Sequence, residues 1–549
     1  MLKNPLYVYG PKNVYIPSDL NFAAFFLDTL WEHRNNVALI NGASYEDYTY
    51  LSMAQQSMNV AISLSRLGVK KGEVVAICSE NRMEYWAAFL GTVCAGVTAT
   101  MVNPNYTGNE LKHVLSITKP KYMFCSQTFY NGKEKTLKSL PYLKKIILFG
   151  DKTNKNVLYY DDLAISVDGN EKDIGFNGNK LSRNVRYEEF RAVDVEGQND
   201  VALILYSSGT TGLPKGVMLT HVNLLSACLM PASIDPKLNG LTISPWFHTM
   251  GLIGTALGLC KGRTLVYLPK FEINLYLKCI EKYQIQQITV VPPVLVAACK
   301  SQEPYDLSSV KLVYSGAAPL QEETIKIVKD KFPNVVAVLQ GYGMTEMTLA
   351  VIKSTYDQTV PMKSASIGSV VAGAIVKVVD IETGKPLGPN QSGELCFKST
   401  QVMKGYVGKS NREFFDDEGF YRSGDIGYYD EDRQFYIVDR LKELIKYKGF
   451  QVAPAEIESL LLQHPSVRDA GVVGLPDPTA GELPLAFVVK QPGCDVSELE
   501  IQAFVAEKLS NPKHLRGGVR FVSEIPKNPS GKVLRKALKA MMKNTKSKL

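Results

Sequence analysis

Short apolar runs alternate with helical patterns over a long part of this chain, from about residue 50 to residue 350. Strand-like runs occupy residues 72–78, 121–125, 144–149, 288–291 and 311–314. Residues 84–97, between the first two of these runs, carry one apolar face at helical spacing. Such alternation is typical of helices packed on mostly parallel sheets, so we predict an α/β fold.

A chain of 549 residues is longer than one hydrophobic core usually supports, which predicts more than one domain. Over residues 375–438 the strands become short and are separated by turn signals, which favours a small antiparallel, barrel-like region. Beyond Asp439, a helical pattern at 455–463 and a strand at 485–489 predict a small α+β unit. We therefore expect a large N-terminal domain over residues 1–438 and a smaller C-terminal domain after it.

Composition excludes several classes of protein. Hydrophobic residues make up 45% and charged residues 21%, as in an ordinary globular protein and unlike a disordered one. No apolar run has the length of a transmembrane segment, and the N-terminus lacks the pattern of a signal peptide. None of the nine cysteines forms a C-x-x-C pair, which argues against a zinc site or a disulfide framework.

The net charge of +8 is compatible with nucleic acid, an anionic membrane or small anions such as nucleotides. No recognition module for nucleic acid accompanies the charge, so we expect no nucleic-acid partner. The last three residues, Ser547, Lys548 and Leu549, match the peroxisomal import address. This match predicts a peroxisomal protein that binds the import receptor through its C-terminus.

A glycine- and hydroxyl-rich string follows the apolar strand at residues 201–205. It contains Ser207, Ser208, Gly209, Thr210, Thr211, Gly212 and Lys215. Backbone N–H groups in such a loop form a concave anion site, and a lysine adds a charge suited to phosphate. The spacing differs from the Walker A pattern. The loop therefore predicts phosphate binding, with a plain surface loop as the alternative.

Other segments point to the same ligand. Residues 340–346 combine Gly341, Tyr342, Gly343, Met344, Thr345 and Glu346, where a purine could stack on the tyrosine and a cation could bind the glutamate. Asp425 could accept from ribose hydroxyls, although it could equally cap a helix. Charged residues are dense over 439–449, and Lys532 lies on a turn, where it could simply be solvated.

In this order and spacing, the five segments resemble the core motifs of the acyl-CoA synthetase and luciferase superfamily. The resemblance extends from about residue 20 to the C-terminus. It is closest to the insect branch, which holds beetle luciferases and luciferase-like fatty acyl-CoA synthetases. The strings Tyr206–Gly216 and Asp439–Gly449 are its most specific parts.

The resemblance implies a role for each residue. Ser207 to Lys215 would hold the ATP phosphates, Gly341 to Gly343 would lie near adenine, Thr345 would contact the α-phosphate, Glu346 would bind Mg²⁺, Asp425 and Arg440 would bind the ribose, and His248 would lie beside the substrate carboxylate. Lys532 would serve adenylation and Lys446 thioester formation, with CoA as co-substrate. Residues 439–441 would form a hinge, and 442–549 a mobile C-terminal domain.

The residues that match the family's acyl pocket are Met250, Gly254, Ala317, Met344 and Leu349. All are apolar or small, which favours a medium- or long-chain fatty acid. The alternative is a luciferase, and a weak one, because efficient beetle luciferases carry a serine where this chain has Leu349. A non-catalytic nucleotide-binding scaffold is a second alternative. The presence of Lys215, Glu346, Asp425, Arg440 and Lys532 argues against it.

Overall fold

The computed structural model describes residues 4–12, 15–154, 156–165, 185–207, 214–231, 238–317, 320, 322–356, 363, 366–448, 450–527 and 533–545. Three predicted features lie outside the described residues: loop residues Ser208 to Gly212, the adenylation lysine Lys532, and the C-terminal Ser-Lys-Leu. Met250 and the other predicted site residues are described.

The strands are β1 (Tyr7–Tyr9), β2 (Val37–Asn41), β3 (Asp47–Thr49), β4 (Val74–Cys78), β5 (Thr98–Met101), β6 (Tyr122–Ser126), β7 (Lys145–Phe149), β8 (Leu158–Tyr159), β9 (Val201–Ser207), β10 (Lys215–Thr220), β11 (Gly240–Thr242), β12 (Leu265–Tyr267), β13 (Gln287–Val290), β14 (Leu312–Gly316), β15 (Ala337–Gly343), β16 (Ala350–Lys353), β17 (Ser369–Val370), β18 (Ile375–Val379), β19 (Gly393–Lys398), β20 (Gly405–Tyr406), β21 (Tyr421–Tyr429), β22 (Phe435–Arg440), β23 (Ile445–Tyr447), β24 (Phe450–Val452), β25 (Val467–Asp477), β26 (Gly481–Lys490) and β27 (Gly518–Phe521). The helices are α1 (Phe22–Glu32), α2 (Tyr50–Arg66), α3 (Glu84–Cys94), α4 (Gly108–Thr118), α5 (Gln127–Lys138), α6 (Tyr160–Ala164), α7 (His221–Cys228), α8 (Thr249–Leu259), α9 (Ile273–Lys282), α10 (Pro292–Lys300), α11 (Glu322–Lys331), α12 (Pro454–Leu461), α13 (Glu498–Lys508) and α14 (Arg535–Thr545).

One large sheet has the strand order β20-β10-β9-β5-β4-β6-β7-β8. The neighbouring strands β9, β5, β4, β6, β7 and β8 pair in parallel. At the other edge, β10 pairs antiparallel with both β9 and β20. Aromatic residues of the helices fill its core, where Trp86 of α3 stacks on Phe26 of α1 with ring centroids 5.9 Å apart. The helix expected at 84–97 is confirmed, although it ends at Cys94.

A second large sheet has the order β17-β16-β15-β14-β13-β11-β12-β2-β3. Its centre is parallel, and its edge strands β3, β16 and β17 pair antiparallel. The predicted α/β fold with mostly parallel sheets is therefore confirmed. The carboxyl ends of β14 and β15 lie side by side in this sheet, which is where open α/β sheets place their ligand sites.

The remaining described strands form two smaller sheets. The order β1-β18-β19-β21-β22 is antiparallel throughout, as expected for residues 375–438, and its barrel-like closure stays a prediction. The C-terminal sheet has the order β24-β23-β26-β25, with β27 parallel to β26, and it packs with α12, α13 and α14. Across all the described residues, no helix is long and apolar enough to span a bilayer.

Candidate active site

The end of β15 leaves little space for side chains. A β-carbon at Gly343 would lie 1.9 Å from the carbonyl oxygen of Leu349, so glycine is required there. At Gly341 the nearest atom to such a carbon is Cβ of Ala350, at 3.7 Å, which is an ordinary contact. The chain therefore folds back tightly after Gly343, and the residues that follow approach β9, β10 and β20 of the first large sheet.

Tyr342, Asp425 and Arg440 come from β15, β21 and β22 and form one cluster. The Tyr342 hydroxyl donates to Oδ2 of Asp425 at 2.6 Å, and Nε of Arg440 lies 3.0 Å from Oδ1. Burial and the charge of Asp425 raise the pKa of Tyr342, so the phenol keeps its proton. Phe397 stacks on the tyrosine ring with centroids 5.6 Å apart. The predicted adenine and ribose residues are thus brought together.

Glu346 and Lys215 meet at Tyr406. The Tyr406 hydroxyl donates to Oε1 of the buried Glu346 at 2.7 Å. The ammonium of Lys215 lies 4.9 Å from the centre of the Tyr406 ring and 5.1 Å from that of Phe414, within cation–π range. One tyrosine therefore connects the residue predicted to bind metal with the lysine of the predicted phosphate loop. Ser207, at the other end of that loop, ends β9 opposite Lys215.

Tyr406 was not among the residues that the sequence predicted. It follows Gly405 in the short strand β20, and nothing in its local pattern marks it as functional. Its place in the site depends on pairing with a distant strand, because β20 lies antiparallel to β10, with Tyr406 opposite Val217. Only knowledge of this pairing would have identified the residue.

Thr345 and Glu346 begin a short helical turn that ends in a strained residue. Thr348 has φ of 61° and ψ of −45°, and the N–H of Leu349 donates to the carbonyl of Met347 at 2.6 Å. This is a γ-turn of the rare positive-φ kind, which is costly for a β-branched residue. Bonds to Gln401 and Thr249 hold Thr348 in place. Strain of this kind commonly marks a functional site.

His248 directly precedes α8 and caps it with extended backbone. Its ring packs against Phe247 with centroids 4.5 Å apart and retains access to solvent. Desolvation by the surrounding protein nevertheless lowers its pKa to about 4. The imidazole is therefore neutral near pH 7 and can take part in a hydrogen bond, but it carries no charge toward a carboxylate.

The predicted pocket residues lie around the same turn. Met250 and Gly254 lie one turn apart on α8, whereas Met344 and Leu349 flank the strained segment after β15. Ala317 follows β14 with a positive φ of 71°. A β-carbon at Gly316 would lie 4.0 Å from the sulfur of Met250, so α8 packs beside the end of β14.

At the predicted domain boundary, hydrogen bonds connect Asp439 to the residues that follow it. This buried carboxylate accepts from the N–H of Arg440 at 2.7 Å and from that of Ala455, in the first turn of α12, at 2.9 Å. Lys446 lies on β23 with an exposed side chain, and its ammonium forms no ion pair with a described residue. The side chain of Lys446 is thus accessible to a substrate, while Lys532 lies outside the described residues.

Glu346 suits a magnesium ion that is also held by a substrate. No cluster of three or more acidic, histidine or cysteine residues in the described part of the chain could hold a metal alone. Mg²⁺ typically takes one or two carboxylates and completes its shell with phosphate oxygens and water. Glu346 is buried, and Tyr406 fixes one of its oxygens, which leaves the other for a cation.

Comparison with known proteins gives matches over most of the chain. The family model described as "AMP-binding enzyme" matches residues 28–407, and that described as "AMP-binding enzyme C-terminal domain" matches residues 456–532. Luciferin 4-monooxygenase of Photuris pensylvanica is 40% identical over 523 residues, with 93% of each chain covered. 4-Coumarate–CoA ligase 1 of Petroselinum crispum is 39% identical over 546 residues, covering 96% of this chain and 95% of its own. The ATP-bound structure of MatB from Rhodopseudomonas palustris has a TM-score of 0.82 at 27% identity, covering 95% of this chain and 99% of that one.

Proposed function

The chain belongs to the family of AMP-binding enzymes, the adenylate-forming superfamily, and on that premise we propose that it is an acyl-CoA synthetase. It activates a medium- or long-chain carboxylic acid with ATP to acyl-AMP, releasing pyrophosphate. It then transfers the acyl group to CoA and releases AMP. The observation that carries the proposal is the contact of Tyr406 with both Glu346 and Lys215, which joins a metal-binding carboxylate to a phosphate-binding lysine.

The first half-reaction must bring two anions together, because a carboxylate attacks the α-phosphorus of ATP. When bound with the nucleotide at Glu346, Mg²⁺ would neutralise charge on the phosphoryl oxygens and on the leaving pyrophosphate. Lys215 offers a further positive charge next to Tyr406, and Asp425 with Arg440 offers hydrogen-bonding groups for the ribose. Groups fixed in this way lower the barrier because they need not reorganise during the reaction.

The second half-reaction needs no nucleophile from the enzyme, because the CoA thiolate attacks the carbonyl carbon of the mixed anhydride and AMP leaves. Lys532 supports the first half-reaction and Lys446 the second, with movement of the C-terminal domain at residues 439–441 between them. The exposed side chain of Lys446 in the present structure is compatible with such alternation.

The acyl site is built from small and apolar residues beside a neutral histidine. Met250 and Gly254 on α8, and Leu349 after the γ-turn, offer a hydrophobic surface to an alkyl chain. His248 is neutral near pH 7, so it positions the substrate by hydrogen bonding and packing. These features support a fatty acid over a small polar acid.

The direct test is AMP release in the presence of ATP, Mg²⁺ and CoA, with acids from acetate through oleate and with 4-coumarate. We expect the highest kcat/KM with medium- or long-chain acids. A clear preference for 4-coumarate would instead assign the activity that the Petroselinum relative's name states. Binding of MgATP without turnover of any acid would contradict the proposal and favour a nucleotide-binding scaffold.

A luciferase is the second candidate, because a relative of 40% identity is named luciferin 4-monooxygenase. Such an activity would adenylate luciferin and then oxygenate it with emission of light. Leu349 cannot donate a hydrogen bond to luciferin, so we expect weak emission at most. Photon counting with luciferin, ATP and Mg²⁺ checks this, and bright emission would make luciferase the preferred assignment.

We also propose that the protein acts in peroxisomes. Its Ser547-Lys548-Leu549 would bind the import receptor that brings it there. The full chain, carrying a fluorescent protein at its N-terminus, should appear in peroxisomes. The same fusion without the last three residues should remain in the cytosol. Identical distributions of the two fusions would contradict this localisation.

A further inference from the structure

Glycines open one face of the second large sheet near the candidate acyl pocket. Gly316 of β14 pairs with Gly341 of β15, which in turn pairs with Lys353 of β16. Directly paired residues point to the same face of a sheet, so these three positions form a row across it. A β-carbon at Gly316 would lie 4.0 Å from the sulfur of Met250, so this row faces α8.

The facing side of α8 is also open. Met250 and Gly254, four residues apart, lie on one face of α8, and Lys261 follows two residues after the helix ends. A β-carbon at Gly254 would meet no described atom within 4 Å. Along α8, whose eleven residues span about 16 Å, the described residues thus leave room for a substrate chain at Gly254.

Two lysines lie at the far end of this space. The ammonium of Lys261 donates to the carbonyl of Met230 at 3.2 Å, and that of Lys353 donates to the next carbonyl, of Pro231, at 3.0 Å. At the near end, Thr249 donates to the carbonyl of Thr348, close to His248 and Thr345. The predicted reaction centre and a pair of cations thus lie at opposite ends of α8.

Lys261 and Lys353 are half-buried, and few groups among the described residues interact with their positive charges. Neither ammonium forms an ion pair with a carboxylate of the described residues. Burial, together with the positive charges of Arg263 and Lys353, lowers the pKa of Lys261 to about 8, and burial also lowers the pKa of Lys353. Since an ammonium has three donors, each has hydrogen-bonding capacity beyond one carbonyl, and the cluster favours an anion.

We propose that Lys353 and Lys261 bind an anionic oxygen group at the far end of the substrate, so that the preferred acid carries a second carboxylate at its ω-position. The apolar middle of such an acid lies on the glycine face between α8 and β16, and its other carboxylate is the one activated. The proposal rests on the proposed acyl-CoA synthetase activity and refines its substrate. It adds two charged groups to a pocket whose five predicted residues are all apolar or small.

The test compares three acids of equal length: dodecanoic, ω-hydroxydodecanoic and dodecanedioic acid. We expect wild type to give the highest kcat/KM for AMP release with the diacid. In Lys353→Met and Lys261→Met, which keep side-chain length and remove charge, the ratio of diacid to monoacid should fall by about 10- to 100-fold. Because the ratio is measured within one protein, loss of folded enzyme cancels.

Matched variants separate charge from packing. Lys353→Arg should retain most of the diacid preference, and Lys326→Met, which removes an exposed lysine on α11, should leave the ratio unchanged. An equal ratio in wild type and Lys353→Met, or a preference confined to the ω-hydroxy acid, would overturn the anionic assignment. Turnover of dodecanoic acid alone would overturn this inference and leave the proposed function intact. No turnover of any acid would overturn both.

Discussion

Tyr406 acts on two charged residues through two different parts of its side chain. The hydroxyl donates to Glu346, whereas the ring faces the ammonium of Lys215. Burial and the charge of Glu346 raise the pKa of this phenol, so it remains a donor at any physiological pH. Groups that orient a metal-binding carboxylate typically alter metal affinity by 10- to 100-fold, although they never touch the metal.

Tyr406→Phe removes the hydroxyl and retains the ring. We expect the Mg²⁺ concentration for half-maximal activity to rise about tenfold, because Glu346 loses the bond that fixes its carboxylate. Titration of activity with Mg²⁺ at saturating ATP measures the effect. Tyr421→Phe is the matched control, since its hydroxyl lies 3.4 Å from that of Tyr406, and it should change the Mg²⁺ requirement little. Equal requirements in wild type and Tyr406→Phe would refute this role.

Gly343 and Gly341 offer a pair of substitutions two residues apart. Alanine at Gly343 would overlap the Leu349 carbonyl, whereas alanine at Gly341 would make an ordinary contact with Ala350. We expect Gly343→Ala to lower the free energy of unfolding by about 1–3 kcal/mol and Gly341→Ala to cost much less. Thermal unfolding without ligand compares them. Similar midpoints for the two variants would contradict the tight turn after β15.

At the scale of elements, α1 and α7 are joined at their first residues. The N–H of Phe22, which begins α1 and has no partner within its helix, donates to Nδ1 of His221 at 3.1 Å. His221 begins α7 and is buried, and burial lowers its pKa to about 4, although the charge of Asp200 opposes the shift. The ring must be neutral to accept this hydrogen bond.

This contact predicts a stability loss in acid. Because the folded pKa of about 4 lies below the unfolded value of 6.5, neutral His221 stabilises the fold above pH 6.5, and that stability is lost as pH falls toward 4. The loss is on the order of 2–3 kcal/mol. His221→Asn keeps an acceptor and cannot titrate, so its unfolding midpoint should rise relative to wild type between pH 6.5 and 4.5. Parallel pH curves for the two proteins would disprove the linkage.

At the scale of the whole molecule, ion pairs connect α14 to the segment that follows the predicted domain boundary at Asp439. Arg535, at the start of α14, pairs with Glu443 at 2.5 Å and with Glu458 of α12 at 2.9 Å. Glu443 lies between β22 and β23, next to the proposed hinge at Asp439. In the proposed movement at residues 439–441, α14 would therefore move together with Glu443 and α12.

Alternation between two lysines predicts separable defects. Lys532→Ala should abolish most ATP–pyrophosphate exchange and spare thioester formation from supplied acyl-AMP. Lys446→Ala should show the reverse, because we propose that each lysine serves one half-reaction. Each half-reaction is assayed separately, with the other variant as the matched control. Equal loss of both half-reactions in either variant would contradict the division of labour.

Much of this protein could be predicted from local sequence. Strand and helix periods, the glycine loop at residues 207–215 and the glycines of β15 depend on near neighbours along the chain, because backbone conformation and amphipathic burial are local properties. The α/β class and the strand expected at 201–205 are confirmed. The family resemblance implies that Tyr342, Asp425 and Arg440 surround the nucleotide, and the structure brings these three side chains into contact, whereas their roles stay a prediction.

Tertiary structure alone decided which distant residues meet. Tyr406 reaches Glu346 because β20 pairs with β10, Phe22 reaches His221 because α1 packs on α7, and Lys353 joins the glycine face because β16 pairs with β15. Strand partners and helix packing are set by the burial of many side chains at once, so no local pattern determines them. The sequence therefore determined the chemistry the chain carries, and the packing of its sheets decided which groups act together.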